Sequence, residues 1–308
     1  MSASAVAANP FVEFLDRYEY DWVRMCSEVF GITPDADQAM VIEAACREDR
    51  RISWRSGHRV GKSTALSLIC GCQIITRFPQ RIACTAATEK QLFGVLANDV
   101  KKHLKRLPPS LYELFEVKAE SIHLKRAPEE SFITFATSRP EVPEALAGVH
   151  SEGPVKLIVD EASGVHDAVI ESASGSMADP RATTILTGNP VRSSGFFFNT
   201  HHSLRDMWLT LHTSCIGHPR VPADYVEDMR RRYGEESNAY RVRVLGEFPK
   251  ADDDTIIPFE LVEAALKRDV TVHPDTPIVW GVDCARFGSD KSALCRRQGT
   301  VLLSPVEA

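Results

Sequence analysis

The stretch ISWRSGHRVGKSTALSL, residues 52–68, sets Gly61-Lys62-Ser63-Thr64 between a short β-rich segment and an apolar helical run. That is what gripping a polyphosphate requires. Backbone N–H groups of a tight turn and of the following helix N-terminus converge on phosphate oxygens, and a lysine reaches the outer phosphates. Such loops usually open with glycine, but Ser56 stands in that place. Gly57 beside it and Gly61 before the lysine can supply the turn. On this reading Ser56, Gly57, His58, Arg59, Val60, Gly61, Lys62, Ser63 and Thr64 form the nucleotide loop. Lys62 reaches the β and γ phosphates, Ser63 ligates magnesium and Thr64 caps the triphosphate. The complementary motif is KLIVDEA, residues 156–162. An apolar strand ending in Asp160-Glu161 at the C-terminal edge of a sheet brings both acids beside the loop, at a neighbouring strand tip. Asp160 would hold magnesium through water, and Glu161 would orient and deprotonate the attacking water. The chemistry this predicts is ATP hydrolysis, with ATP and Mg2+ as the bound species.

The elements that must position these residues follow from pattern. RRISWR (50–55) reads as a strand and a helix runs from about Gly61 to Arg77; RIACTAA (81–87) is a second strand. Residues 88–107 have apolar positions at helical spacing, with Thr88 as N-cap. SIHLKRA and SFITFAT are β-rich, and PVKLIVDEA, TTILTGNP and MWLTLHTS read as buried strands. Strands alternating with helices predict an α/β fold with a mostly parallel sheet flanked by helices. ADYVEDMRRRYG and ESNAYRVRVLGEF look helical, and the acidic, proline-bracketed PKADDDTIIP marks a linker.

Bulk properties narrow the class. Net charge is −6, which argues against a constitutive, charge-driven nucleic-acid binder but leaves room for contact through a few basic loops. The longest apolar run, ALSLICGCQII, is too short to span a bilayer, and the N-terminus lacks the basic-then-apolar order of a secretory signal. Eight cysteines without metal-type spacing fit a reducing cytosol. The basic runs KKHLKRL and MRRRYG are solvated helix faces or DNA contacts. In GFFFNTHH the aromatics pack on the sheet, while His201 and His202 read as surface residues; His150, His166 and His218 show no ligand spacing.

At this point the chain resembles the large subunit of tailed-phage terminase. SGHRVGKST is similar to that family's relaxed phosphate loop, TAATEKQLFGVLANDV to its second strand and helix, and LIVDEASGV to its Asp-Glu strand. LTGNPVR resembles its coupling motif, and RRYGEESNAYRVRVLGEFP the end of its motor domain. The resemblance implies a P-loop NTPase of the RecA/ASCE type over 1–248, with an N-terminal helical segment over 1–32. A linker over 249–274 follows, then an incomplete RNase H-like domain over 275–308. It further implies that Thr187, Gly188 and Asn189 sense the γ-phosphate and couple its loss to movement. Gln38 is either an adenine contact or a solvated helix residue. The catalytic arginine of the family falls on Arg139 or, second, on Arg59.

WGVDCARFGSDKSAL, residues 280–294, resembles the opening hairpin of the family's nuclease, with Asp283 as a metal ligand and Asp290 as helper. Two-metal chemistry needs several carboxylates. With the sequence ending at Ala308, the expectation is that this chain alone has no nuclease activity, whether it is a trimmed chain, an interrupted gene or a fragment completed by a second polypeptide. The partners the resemblance implies are double-stranded DNA, a portal protein, a small terminase subunit and further copies in a ring, in the host bacterial cytoplasm and without a membrane. Two other readings stand beside it: a helicase-like or repair ATPase, and a non-catalytic assembly subunit that binds nucleotide to fix its shape.

Overall fold

A strand with apolar side chains on both faces can be satisfied only in the middle of a sheet. Residues Val155–Asp160 and Ala182–Gly188 are buried along their whole length and take that position. The computed structural model describes residues 10–137, 151–176, 179–250, 259–285, 291–304 and 306. The chain divides into two units, Met1–Asp253 and Asp254–Ala308.

The first unit opens with α1 (Pro10–Tyr18), α2 (Trp22–Glu28) and α3 (Ala36–Cys46). Then come β1 (Arg51–Ser56), α4 (Lys62–Thr76) and β2 (Gln80–Ala86). The next helix is broken into α5 (Glu89–Gln91), a π-helical turn (Leu92–Ala97) and α6 (Asn98–Leu104). After α7 (Pro109–Tyr112) follow β3 (Phe115–Val117), β4 (Ser121–Leu124), β5 (Ser131–Phe135) and β6 (Val155–Asp160). The unit continues with α8 (Asp167–Ser176), β7 (Ala182–Gly188), α9 (Phe196–Thr200), β8 (Leu209–Thr213), α10 (Ala223–Tyr233) and α11 (Asn238–Tyr240). A second π-helical turn, Arg241–Leu245, closes it.

Eight strands form one sheet in the order β3-β4-β5-β2-β6-β7-β1-β8. From β5 to β8 every neighbour is parallel, and only β4 runs against its neighbours. The expected α/β architecture with a mostly parallel sheet is therefore the one present. Successive strand residues point to opposite faces, and two cores result. Ile52, Trp54, Ile82, Ile158 and Ile185 pack beneath α4, with Trp22 and Phe30 of the N-terminal segment in the same cluster. Ala83, Leu157, Val159 and Leu186 face the other way, against Phe197, Phe198 and Phe248.

Two local readings change. The helix expected over 88–107 starts as predicted, with Thr88 Oγ1 accepting the Gln91 amide at 3.2 Å, but it widens into a π turn. Leu92, Leu96 and Ala97 stay in the core while Val95 is left exposed; such turns often occur beside functional sites. In the second unit, the stretch expected to be a linker contains helix α12 (Phe259–Lys267). Beyond it, β9 (Ile278–Asp283), β10 (Ala293–Gln298) and β11 (Val301–Leu302) make a small antiparallel sheet. No helix among the described residues is long and apolar enough to cross a membrane.

Candidate active site

Between the end of β1 and the start of α4, the chain turns through a left-handed Gly61 at φ 89°. A side chain there would be strained and its Cβ would meet Gln38 Nε2 at 2.5 Å, so the position requires glycine. Gly57 is required for another reason: a Cβ would lie 2.5 Å from Cys215 Sγ and 2.7 Å from the Val244 carbonyl. The amides of Lys62, Ser63 and Thr64 open α4 and have no carbonyl within the helix to bond to. They line a cleft of about 580 Å³ together with Glu161, Asn189 and the exposed Val95.

Ser56, in the place of the usual glycine, is fully buried, and its hydroxyl accepts a hydrogen bond from Lys62 Nζ at 3.1 Å. The hydroxyl itself donates to the Gly57 carbonyl. Lys62 is only 6% exposed, and its ammonium also lies 4.0 Å from Glu161 Oε1. The serine thus fits the loop and holds its lysine.

Glu161 lines the same cleft and Asp160 stands behind Ser63 at its wall, though not from a neighbouring strand. β7 lies between β1 and β6, and it contributes the connecting groups. Thr187 Oγ1 donates to Asp160 Oδ1 at 2.9 Å, while Ser63 Oγ donates to Asp160 Oδ2 at 2.6 Å. Asn189, just past β7, donates its backbone amide to Glu161 Oε2 at 3.2 Å and its side-chain amide to the Ser56 carbonyl at 2.6 Å. Glu161 has φ 53°, a left-handed conformation uncommon outside glycine and tolerated mainly where a site demands it. Burial pushes the Glu161 carboxyl up; Lys62 opposes that shift and Asp160 adds to it.

A serine hydroxyl beside a buried carboxylate, with helix-opening amides and a lysine over one cleft, is a donor set suited to a triphosphate and a divalent cation. His58, on the same rim, is pushed down to about 4 by burial and then by Lys62, so it is neutral near pH 7. Arg59 has φ 66° and stacks its guanidinium 5.3 Å from the Tyr225 ring centroid.

Gln38 is not a solvated helix residue. It is fully buried; Nε2 donates to the Gly61 carbonyl at 2.9 Å, and Oε1 accepts from Arg220 Nη2 at 2.7 Å. Arg220 also donates to Asp35 Oδ2 at 2.6 Å. These contacts tie the N-terminal segment and the 215–221 stretch to the turn before Lys62. Sequence reading passed over Arg220, Cys215 and Gly246, whose contacts on the loop come from residues far along the chain. His218 likewise has Asp35 and Asp37 carboxylates 3.8 and 3.9 Å from Nε2. Its Nδ1 accepts the Arg220 amide, so Nε2 carries a proton and offers no lone pair to a metal.

Other expected positions fall elsewhere. Arg139, His150 and Asp290 lie outside the described residues. Asp283 ends β9 opposite Ala293. His201 is half-buried, not a surface residue: its Nε2 is 3.0 Å from Ser53 Oγ, and burial followed by Arg55 pushes it down to about 3. The arginines of the MRRRYG run pair with acids on their own helix, Arg230 and Arg231 with Glu227 and Arg232 with Asp228. They form the solvated face that charge runs usually make.

No family model matches the chain. A curated relative, "Probable terminase, large subunit" of Enterobacteria phage P7, is 29% identical over 96% of this chain. The chain spans 62% of that relative's length. Among solved structures, the large terminase ATPase domain of Thermus phage P74-26 superposes with a TM-score of 0.56 at 17% identity, covering 72% of this chain and 96% of that one. The ADP complex of a large terminase from a thermophilic bacteriophage gives 0.54 at 15% identity, covering 87% of this chain and 66% of that one. The chain therefore has the fold of phage large-terminase ATPase domains, and along nearly all its length it is similar to a terminase large subunit.

Proposed function

We propose that this chain hydrolyses ATP to drive double-stranded viral DNA into a procapsid, as the motor part of a terminase large subunit. The observation that carries the reading is the convergence of Lys62, Ser63 and Glu161 on one cleft, with Asp160 held against Ser63 at 2.6 Å. In this reading the α4 amides and Lys62 hold the β and γ phosphates. Ser63 and Asp160 would hold Mg2+, which offsets phosphate charge when bound. Glu161 takes the proton of the attacking water, and its raised affinity for protons suits a base that must accept one. Thr187 and Asn189 touch both acids and the loop, which fits them to report the loss of the γ-phosphate.

The same reading assigns residues 1–248 to the motor and the sheet around Asp283 to the start of a nuclease. A portal protein, a small terminase subunit and further copies in a ring, in the host cytoplasm, complete the proposed assembly. The ring would supply an arginine to the cleft, from Arg139 or Arg59. The similarity to a terminase large subunit favours this over a helicase-like or repair ATPase.

The test is ATP turnover by the purified chain with duplex DNA, with and without portal. Portal-dependent stimulation is expected. Stimulation by DNA alone, with no response to portal, would move the chain to the helicase-like class, and nucleotide binding without turnover would make it an assembly subunit.

A further inference from the structure

A second cavity, of about 360 Å³, lies on the other face of β1 from the α4 core. Strand alternation sends Arg55 there, one residue before Ser56 of the nucleotide loop. Arg205 and Arg241 complete a lining of three guanidiniums, and Glu247 is its one carboxylate. Arg241 pairs with Glu247 at 2.9 Å. Arg55 Nη1 donates to the Gly246 carbonyl at 3.0 Å, which leaves the rest of its fork free for another acceptor. Arg205 is exposed and has no ion pair among the described residues. His202 and His212 border the same space. Among the described residues two positive charges are therefore uncompensated in a concave site, and burial lowers Arg55's hold on its proton. A concave site lined by charges of one sign raises the local potential for an anion.

We propose that this cavity is a phosphate-binding site, distinct from the nucleotide cleft, in which Arg55 and Arg205 grip one phosphate group through paired N–H donors. Guanidinium forks match phosphate oxygens in geometry as well as charge. The phosphate comes either from a duplex backbone, read without regard to base sequence, or from free inorganic phosphate. The site does not rest on hydrolysis at the first cleft, because its ligand binds to a different set of residues.

The experiment compares wild type, Arg205→Gln and Arg205→Glu, since Arg205 is exposed and its replacement spares the fold; thermal melts check this. Binding is measured for two labelled duplexes of unrelated sequence across a salt series, and for inorganic phosphate by calorimetry. If the source is DNA, Arg205→Gln weakens both duplexes about fivefold and equally, Arg205→Glu weakens them more, and the salt slope falls by about one. If the source is free phosphate, calorimetric binding is lost in Arg205→Glu while duplex binding holds. Arg55→Lys, which keeps charge but not the fork, should reproduce part of either loss. Unchanged binding of both probes in Arg205→Glu overturns the proposal. Nucleotide binding by the same proteins reports on the first cleft separately.

Discussion

At the scale of single residues, the loop shows how a departure from pattern is absorbed. Glycine usually stands where Ser56 does, because a side chain there would obstruct phosphate. Here the hydroxyl turns away to the Gly57 carbonyl and accepts Lys62, so the substitution orders the lysine. Glu161 yields a pH prediction. In the proposed mechanism its carboxylate form is the base, and burial raises its pKa, so the active fraction appears at higher pH than for an ordinary glutamate near 4.3. The acid limb of kcat/KM for ATP should therefore lie above that value, measured as initial rates from about pH 4.5 to 8. A limb at the ordinary position would show that Glu161 is not the group titrating. Lys156 makes a separate case. It is fully buried on β6, its ammonium is 5.3 Å from the Trp22 ring centroid with no hydrogen-bond partner among the described residues, and burial pushes it down to about 7. The unfolded chain keeps that proton up to about 10.4, so this residue makes stability rise with pH between about 7 and 10. Lys156→Met should melt a few degrees higher at pH 7 and lose that rise. A lower melting temperature at pH 7 would mean that the Trp22 contact outweighs the cost of burial.

At the scale of elements, the turn 241–248 and the nucleotide loop are built against each other. The His58 amide donates to the Arg243 carbonyl at 2.8 Å; a Cβ on Gly246 would meet the Gly57 nitrogen at 2.5 Å, and one on Gly57 would meet the Val244 and Arg243 carbonyls at 2.7 and 2.9 Å. Gly57→Ala should destabilise the fold by about 1–3 kcal/mol in denaturant unfolding. Adding Cys215→Ala should recover little, because two of the three obstructing atoms are backbone carbonyls that cannot move aside; full recovery would place the obstruction at the thiol. Much of this scale was legible in the sequence. β1, α4, β6 and β7 announce themselves through apolar runs and glycine punctuation, and Thr88 caps its helix as its position suggests. The π turn at Leu92–Ala97 was not legible, since its apolar spacing also fits an ordinary helix. Nor was the insertion of β7 between β1 and β6, because strand order depends on crossovers that local pattern does not encode. For the same reason the sequence showed Gln38 as a point of interest without showing what it touches. Its partners, Gly61 and Arg220, are brought to it by tertiary packing.

At the scale of the molecule, one strand carries both proposed sites. β1 delivers Ser56 to the nucleotide cleft and Arg55 to the cationic cavity on the other face, and the 241–248 turn borders both. A motor of the proposed kind must link a nucleotide state to a grip on its track, and adjacent positions on one strand end would be a short physical connection between them. All of it depends on Lys62, Asp160 and Glu161 acting together on a nucleotide. The most direct measurement is ATP binding and phosphate release, side by side, for wild type and Glu161→Gln. Glutamine keeps the size of the side chain and its contact with the Asn189 amide but cannot take a proton. ATP affinity should stay within a few-fold while release falls by about 10²-fold or more. Phosphate release near the wild-type rate in Glu161→Gln would contradict the account.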